Sequence, residues 1–207
     1  QGEATNTVAV TRDELLSAPG GISGLKMLES LPGFNVQTDG ALGLYEFGNS
    51  VTVRAFNLQQ IGFVLDGVPM GRSDAFGGSP IFRYVDNENL GSVVASPGAG
   101  DVSLPSYASL GPIVSYNTVD TSDTPGGMIS YTMGDDNLER SFIKLETGNI
   151  NGLSAYISRS KTDSNLWRGP GTIDREHIEG KIKYEFDEDT FIKFSYVHND
   201  FFDYDSP

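Results

Sequence analysis

The chain has no cysteine, which excludes disulfides, thiolate metal sites and a cysteine nucleophile. It is short of cations: 14 Lys and Arg face 28 Asp and Glu, for a formal charge of −14. So few scattered basic residues do not make the clustered patch that neutralises phosphates, so no nucleic acid is expected as a partner. It also lacks any apolar run near the ~18 residues of a membrane helix. The opening QGEATNT has neither a basic n-region nor an apolar h-region. None of this excludes a membrane, because the strands of a barrel alternate apolar and polar residues and escape the hydropathy test. A signal peptide removed ahead of Gln1 would leave such a start.

What is abundant is glycine, 25 residues, together with 9 tyrosines and 12 phenylalanines in a chain that is 38% hydrophobic. This composition fits many strands joined by tight turns and is not that of a disordered chain. A length of 207 residues accommodates one large domain or two small ones.

The pattern is mixed up to about Val119. After TVAV, Thr11 and Glu14 have the capping-box spacing, which opens a short helix through Leu16. In SGLKMLESLPG, Leu25, Leu28 and Leu31 recur at every third position and Pro32-Gly33 stops what reads as a second helix. Strand-like pieces follow, NSVTVRAF and IGFVLDGVPM, and Asp66-Gly67 between apolar runs predicts the type I′ turn of a tight hairpin.

From Gly126 the chain changes to alternating segments of about ten residues, the length that crosses a bilayer at barrel tilt. In HIEGKIKYEF, Ile178, Gly180, Ile182, Tyr184 and Phe186 face one way while Glu179, Lys181, Lys183 and Glu185 face the other. TFIKFSYV repeats this with Ile192, Phe194 and Tyr196 against Lys193 and Ser195. Links are expected to be short at Asp135 to Leu138, Asn149 to Asn151 and Asp187 to Asp189, and long at Thr162 to Arg175. The alternation fits membrane strands and fits equally a soluble antiparallel sheet with one wet face.

The run LKMLESLPGFNV, VTVRAF, FVLDGVPM, ENLGSVVASPGAG and SLGPIVSYNT resembles, in order and spacing from Leu25 to Thr118, the plug of TonB-dependent outer-membrane receptors. QQIGFVLDGVPMG and ENLGSVVASPGAG are most similar to a branch common in sphingomonad-type bacteria. The resemblance implies a tail over residues 1–6, a mixed α/β plug over 7–119 and, over 126–207, about five antiparallel strands of an incomplete transmembrane barrel of the ~22-stranded class. It implies a bacterial outer-membrane location. It also implies TonB-energised import of a scarce extracellular solute such as a siderophore, a cobalamin-like molecule or a carbohydrate. Its partners would be TonB with ExbB and ExbD, outer-membrane lipid and lipopolysaccharide, and the solute itself. The chain departs from the family wording at Ala55, where the family's usual Gly implies a positive φ and hence strain for a residue with a Cβ, and at Ser92, Val94 and Pro112, and no TonB box is recognisable.

On that resemblance, Pro32, Gly33, Asp66, Gly67, Gly98 and Gly111 are plug-structural positions. Arg54 carries the plug arginine: its planar fork suits a ligand or barrel carboxylate, and equally a salt bridge inside the plug. The loop from Gly71 to Tyr84 offers Arg72, Asp74, Phe76 and Phe82 as ligand contacts, or as packing aromatics. Trp167 either stacks on a ligand or anchors at the interface.

Chemistry of other kinds finds little support. Gly98 and Gly100 lack the third Gly, the Lys and the helix of a phosphate loop, and Ser79 in GGSP is not a nucleophile elbow. His177 and His198 read as barrel-lining or interface residues. Asp200, Asp203 and Asp205 have the hard oxygens that a cation takes but read as a solvated outer loop. Asp187 and Glu188 sit in a turn. No enzyme and no cofactor is expected. The alternative to a receptor is a soluble β-rich binding or adhesion module.

Overall fold

The computed structural model describes residues 7–45, 49–70, 81–96 and 111–205. The chain divides into two compact units, Gln1–Val119 and Asp120–Pro207.

The first unit opens with β1 (Val8–Val10) and α1 (Arg12–Ser17). The capping box is formed: the Glu14 N–H donates to Thr11 Oγ1 and the Thr11 N–H to Glu14 Oε2 at 2.7 Å. The leucine segment is a 3-10 helix, Lys26–Ser30, rather than an α-helix. A 3-10 helix repeats every three residues, so Leu25, Leu28 and Leu31 stack on one side and are all buried. Pro32 and Gly33 follow as the centre of a turn closed by the Phe34 N–H on the Leu31 carbonyl at 3.2 Å. Gly33 has φ 83°, as the third position of a type II turn requires.

Next come β2 (Phe34–Gln37), β3 (Ser50–Val53) and β4 (Phe56–Asn57), which form a small antiparallel sheet. β5 (Gly62–Leu65), β6 (Val68–Pro69), β7 (Leu90–Ser96) and β8 (Ile113–Thr118) join β1 in a larger sheet ordered β1-β7-β8-β5-β6, in which only β5 and β8 run parallel. Asp66 and Gly67 have φ 47° and 81°, the two positive values of the predicted type I′ turn. Leu25, Leu28, Phe63, Val93, Val114 and Tyr116 belong to the core between these elements. Tyr116 donates its hydroxyl to the Gly24 carbonyl at 2.5 Å, and burial pushes its phenol far above the ordinary value. It is therefore a neutral donor at any physiological pH.

The second unit is one antiparallel sheet of β9 (Pro125–Gly134), β10 (Leu138–Thr147), β11 (Leu153–Asn165), β12 (Gly171–Glu185) and β13 (Phe191–Asp205), ordered by sequence, with β9 and β13 at its edges. The later strands overrun the expected ten residues. β11 has 13 and β12 and β13 have 15 each. The expected long link from Thr162 to Arg175 therefore shrinks to residues 166–170. The segment carrying Asp200, Asp203 and Asp205 is the end of β13 rather than a loop. TDSN, GTIDR and NDFFDYD place polar residues on both faces, with Phe201 and Phe202 adjacent in the last, and so carry no clean alternation to read, but ladder pairing as regular as Asp163 with Asp174 and Asp174 with Phe202 keeps them extended.

Candidate functional site

The proposed ligand residues of the first unit begin at Arg54. It occupies the tip of the two-residue β3–β4 hairpin, where Val53 pairs with Phe56. Its side chain is exposed and makes no ion pair among the described residues. The strain expected at Ala55 falls one residue earlier: Arg54 itself has φ 55°, a conformation that costs a non-glycine residue about 1 kcal/mol or more. Beside it, Asn57 begins a 3-10 turn, Leu58–Gln60, with its own capping box. Gly111 lies so close that a Cβ there would overlap the Gln60 carbonyl oxygen, which accounts for a glycine at that plug position. Phe82 lies in the 3-10 turn Ile81–Arg83. Arg72, Asp74, Phe76 and Gly98 lie outside the described residues.

Family wording gave no sign of Asn87, yet it locks the base of the unit. Its Oδ1 accepts from the Gly21 N–H at 2.8 Å and its Nδ2 donates to the Leu15 carbonyl at 2.9 Å. Arg12 Nη1 donates to the Glu88 and Leu90 carbonyls at 2.7 Å each. Where the family often has an Arg and a Glu, Ser92 instead accepts a neutral hydrogen bond from Asn117 Nδ2 at 3.1 Å, and Val94 sits two residues along on β7.

In the second unit the alternation is inverted relative to a water-soluble sheet. Ile182 is 49% exposed and Phe194 64%, whereas Glu179 is 3% and Lys144 4%. The exposed side chains line up across strands: Ile143 faces Ile129, Leu145 faces Ile157, and Ile182 faces both Ala155 and Phe194. The covered face carries the polar network. Tyr156 donates its hydroxyl to Glu179 Oε1 at 2.9 Å, His177 Nε2 lies 3.3 Å from Glu179 Oε2, and the Lys144 ammonium sits 4.1 Å from the Tyr156 ring centre. His177 belongs to this covered face, and His198 is on the exposed one, paired with Ile178. Trp167, half exposed in the β11–β12 link, stacks with the Arg168 guanidinium at 4.2 Å. Among the described residues no group of three or more His, Asp or Glu could hold a metal ion, and no helix is long and apolar enough to cross a membrane.

Residues 1–111 match the family described as TonB-dependent Receptor Plug Domain. No curated protein sequence matches the chain. Among solved structures, the chain is similar to the pyoverdine outer membrane receptor FpvA of Pseudomonas aeruginosa bound to pyoverdine, with a TM-score of 0.75 and 16% identity over 95% of this chain and 28% of that one. It is similar to the ferric enterobactin receptor PfeA of the same species, at 0.74 and 12% over 98% of this chain and 34% of that one. A third likeness is the siderophore receptor PirA of Acinetobacter baumannii, at 0.71 and 14% over 95% and 32%. The chain thus spans 28% to 34% of the length of these receptors, and at such identities the likeness is one of fold: a plug domain followed by antiparallel strands like those of the receptor barrel. The plug match extends over more than half of the chain, and the chain belongs to the TonB-dependent receptor plug family.

Proposed function

We propose that this protein is an outer-membrane receptor that binds a scarce extracellular solute and imports it with energy delivered by TonB. The observation that carries the reading is the inverted sheet. A soluble sheet buries its isoleucines and wets its lysines; here Ile182 is exposed and Glu179 and Lys181 are covered, the arrangement of a wall with lipid outside and a polar lumen inside. This also weighs against the soluble binding module.

A siderophore is the favoured solute class, supported by the solved structures of similar fold, which are receptors bound to pyoverdine and to enterobactin. The wording of the 59–71 and 88–100 segments supports a place in the sphingomonad-type branch. The ligand face would comprise exposed Arg54, the loop with Arg72, Asp74, Phe76 and Phe82, and Trp167. Coupling would run from TonB, with ExbB and ExbD, as an added strand on an N-terminal segment. A cleaved signal peptide and lipopolysaccharide around the wall complete the proposal, along with plug and barrel regions at 7–119 and 126–207.

The test is uptake by cells expressing the protein, using iron-loaded pyoverdine, iron-loaded enterobactin, cyanocobalamin and maltohexaose as probes of the three solute classes. Accumulation of an iron-loaded siderophore that a protonophore abolishes is expected. Accumulation of none of the four, with the protein present in the outer membrane, would contradict the import reading.

A further inference from the structure

The first unit ends at Val119, and β9 begins at Pro125. The residues between them, 120–124, are tied to the sheet strand by strand. Ser154 on β11, Lys183 on β12 and Lys193 on β13 are directly paired in one row, so their side chains share a face. Thr121 Oγ1 lies 2.6 Å from Ser154 Oγ. Lys193 Nζ donates to Asp120 Oδ2 at 2.9 Å, and Lys183 Nζ lies 3.6 Å from the same oxygen. Further along, the Asn149 N–H donates to the Asp123 carbonyl at 2.9 Å. Gly148, which follows β10, is approached so closely that a Cβ there would lie 2.6 Å from the Pro125 nitrogen and 2.9 Å from the Thr124 carbonyl carbon. The segment therefore crosses the sheet from β13 to the end of β10. Its length suits this path: three inter-strand steps need about 14 Å, and five extended residues span at most about 17 Å.

The lysine row explains why an aspartate starts the crossing. Two lysines directly opposite one another repel, and Glu185 offsets only Lys183. One carboxylate oxygen between the two ammonium groups removes the repulsion, and Asp120 supplies it. The Phe191 ring centre, 5.4 Å from the Lys183 ammonium and 5.1 Å from that of Lys193, supports the same pair. One residue earlier the partners are different. The Val119 N–H donates to the Asn89 carbonyl at 2.8 Å, inside the first unit. The chain thus passes from one set of partners to the other at the single peptide bond between Val119 and Asp120.

We propose that residues 120–124 are a strap that stays on the wall while the plug rearranges, so that the moving part of the chain ends at Val119 and Asp120 is its fixed end. The proposal rests on the reading of the protein as a TonB-energised importer, which supplies the rearrangement. No single one of these contacts is strong. Together they tie five residues to β13, β12, β11 and the end of β10.

Hydrogen exchange at single-residue resolution, on the protein in lipid vesicles at rising urea, tests the fixed end. The Val119 amide reports the plug, and the Asn149 amide, bonded to the Asp123 carbonyl, reports the strap. Val119 should begin to exchange together with the β8 amides while Asn149 keeps its protection. Asp120→Ala combined with Thr121→Val should speed Asn149 exchange about tenfold, and Asp120→Glu, which keeps a carboxylate, much less. Loss of Asn149 protection in step with Val119 in the unsubstituted protein would overturn the strap, and so would parental exchange in the double variant. A second arm follows the working protein. Thr121→Cys with Ser154→Cys, in a chain that has no other cysteine, pins the strap when oxidised. Protonophore-sensitive uptake of iron-loaded pyoverdine or enterobactin should be the same in the oxidised and reduced forms. Uptake lost on oxidation and restored by a reductant would show that the strap must leave the wall, and would overturn the proposal. Absence of uptake by the unsubstituted protein would sink the import reading alone, with the exchange result still deciding whether the strap is held by the wall or by the plug.

Discussion

Asp66 and Thr118 are joined twice, the Thr118 N–H donating to Asp66 Oδ1 at 2.8 Å and the Thr118 hydroxyl to Asp66 Oδ2 at 2.5 Å. The first residue of the β5–β6 turn thereby clamps the last residue of β8, and Asp66 returns its own N–H to the Tyr116 carbonyl at 2.9 Å. The carboxylate does more than tolerate the left-handed conformation of the turn. It ends the strand through which the plug leads onward. Asp66→Ala should release the Thr118 amide, so its hydrogen exchange should speed up about fivefold, the equivalent of about 1 kcal/mol. Exchange at the parental rate would mean that the clamp carries no stability.

The left-handed Arg54 sets stability against function. Arg54→Gly removes the strain at φ 55° and should raise the stability of the first unit by up to about 1 kcal/mol. If the guanidinium contacts solute, the same change should weaken siderophore uptake while leaving expression intact. Destabilisation, measured as a lower urea midpoint, would show that the arginine is held by partners rather than presented.

Tyr116→Phe deletes the buried hydroxyl bonded to the Gly24 carbonyl. A cost of about 1 to 3 kcal/mol is expected, because the deletion leaves a desolvated acceptor. The urea midpoint of the first unit measures it, and no change would place water at that carbonyl.

Much of this architecture is legible in the residues, for reasons that can be stated singly. The Thr11–Glu14 box and the Asp66-Gly67 turn are local: a few adjacent side chains and φ angles decide them, and both form as read. The leucine spacing was legible as a helix but not as its type, since recurrence at every third residue suits a short α-helix face and is the repeat of the 3-10 helix that forms. Arg54 displaces Ala55 as the strained position because hairpin register, fixed by the Val53–Phe56 pair, is a pairing property that a one-strand reading does not contain. The overlong β11–β13 ends went unread because the ladder, not alternation, holds them. Which face of the sheet is covered could not be read from alternation alone, since the same alternation serves water and lipid; only the family resemblance, which implies a membrane barrel, points the apolar rows from Ile129 to Tyr196 outward. Asn87 stayed invisible because its partners at Gly21 and Leu15 are remote in sequence. Of the ligand residues, Arg54 and Trp167 are described and exposed to solvent at least in part, each within its own unit.

Acid should loosen the start of the second unit. Burial alone would raise the Asp120 carboxyl, but the Lys193 hydrogen bond at 2.9 Å, the Thr121 N–H at 3.0 Å and the nearby Lys193 and Lys183 charges together hold it below the ordinary carboxylate range. A carboxyl lowered in the folded state stabilises fully above its unfolded value of about 3.9, and that contribution is lost as the pH falls through the folded value. Asp120→Asn should therefore cost at most about 1 kcal/mol at pH 7, given the site's exposure, and nothing once the pH is below both values. Stability of variant and parent compared across that range checks it; a constant difference would mean that charge is not the cause.

The solvent that meets the exposed isoleucines decides between a membrane wall and a soluble sheet. Ile182 lies near the middle of the ten-residue alternating segment 177–186, faces Phe194 across the β12–β13 pair and is 49% exposed. The decisive measurement is the insertion of Ile182→Lys protein into lipid vesicles, read by heat-modifiable electrophoretic migration beside the parent. A lysine on a lipid-facing strand near the bilayer midplane costs about 2 to 4 kcal/mol, so the variant should insert poorly and lose most of its folded, fast-migrating band. Insertion indistinguishable from the parent would contradict a membrane wall, because in water an exposed lysine replaces an exposed isoleucine at no cost.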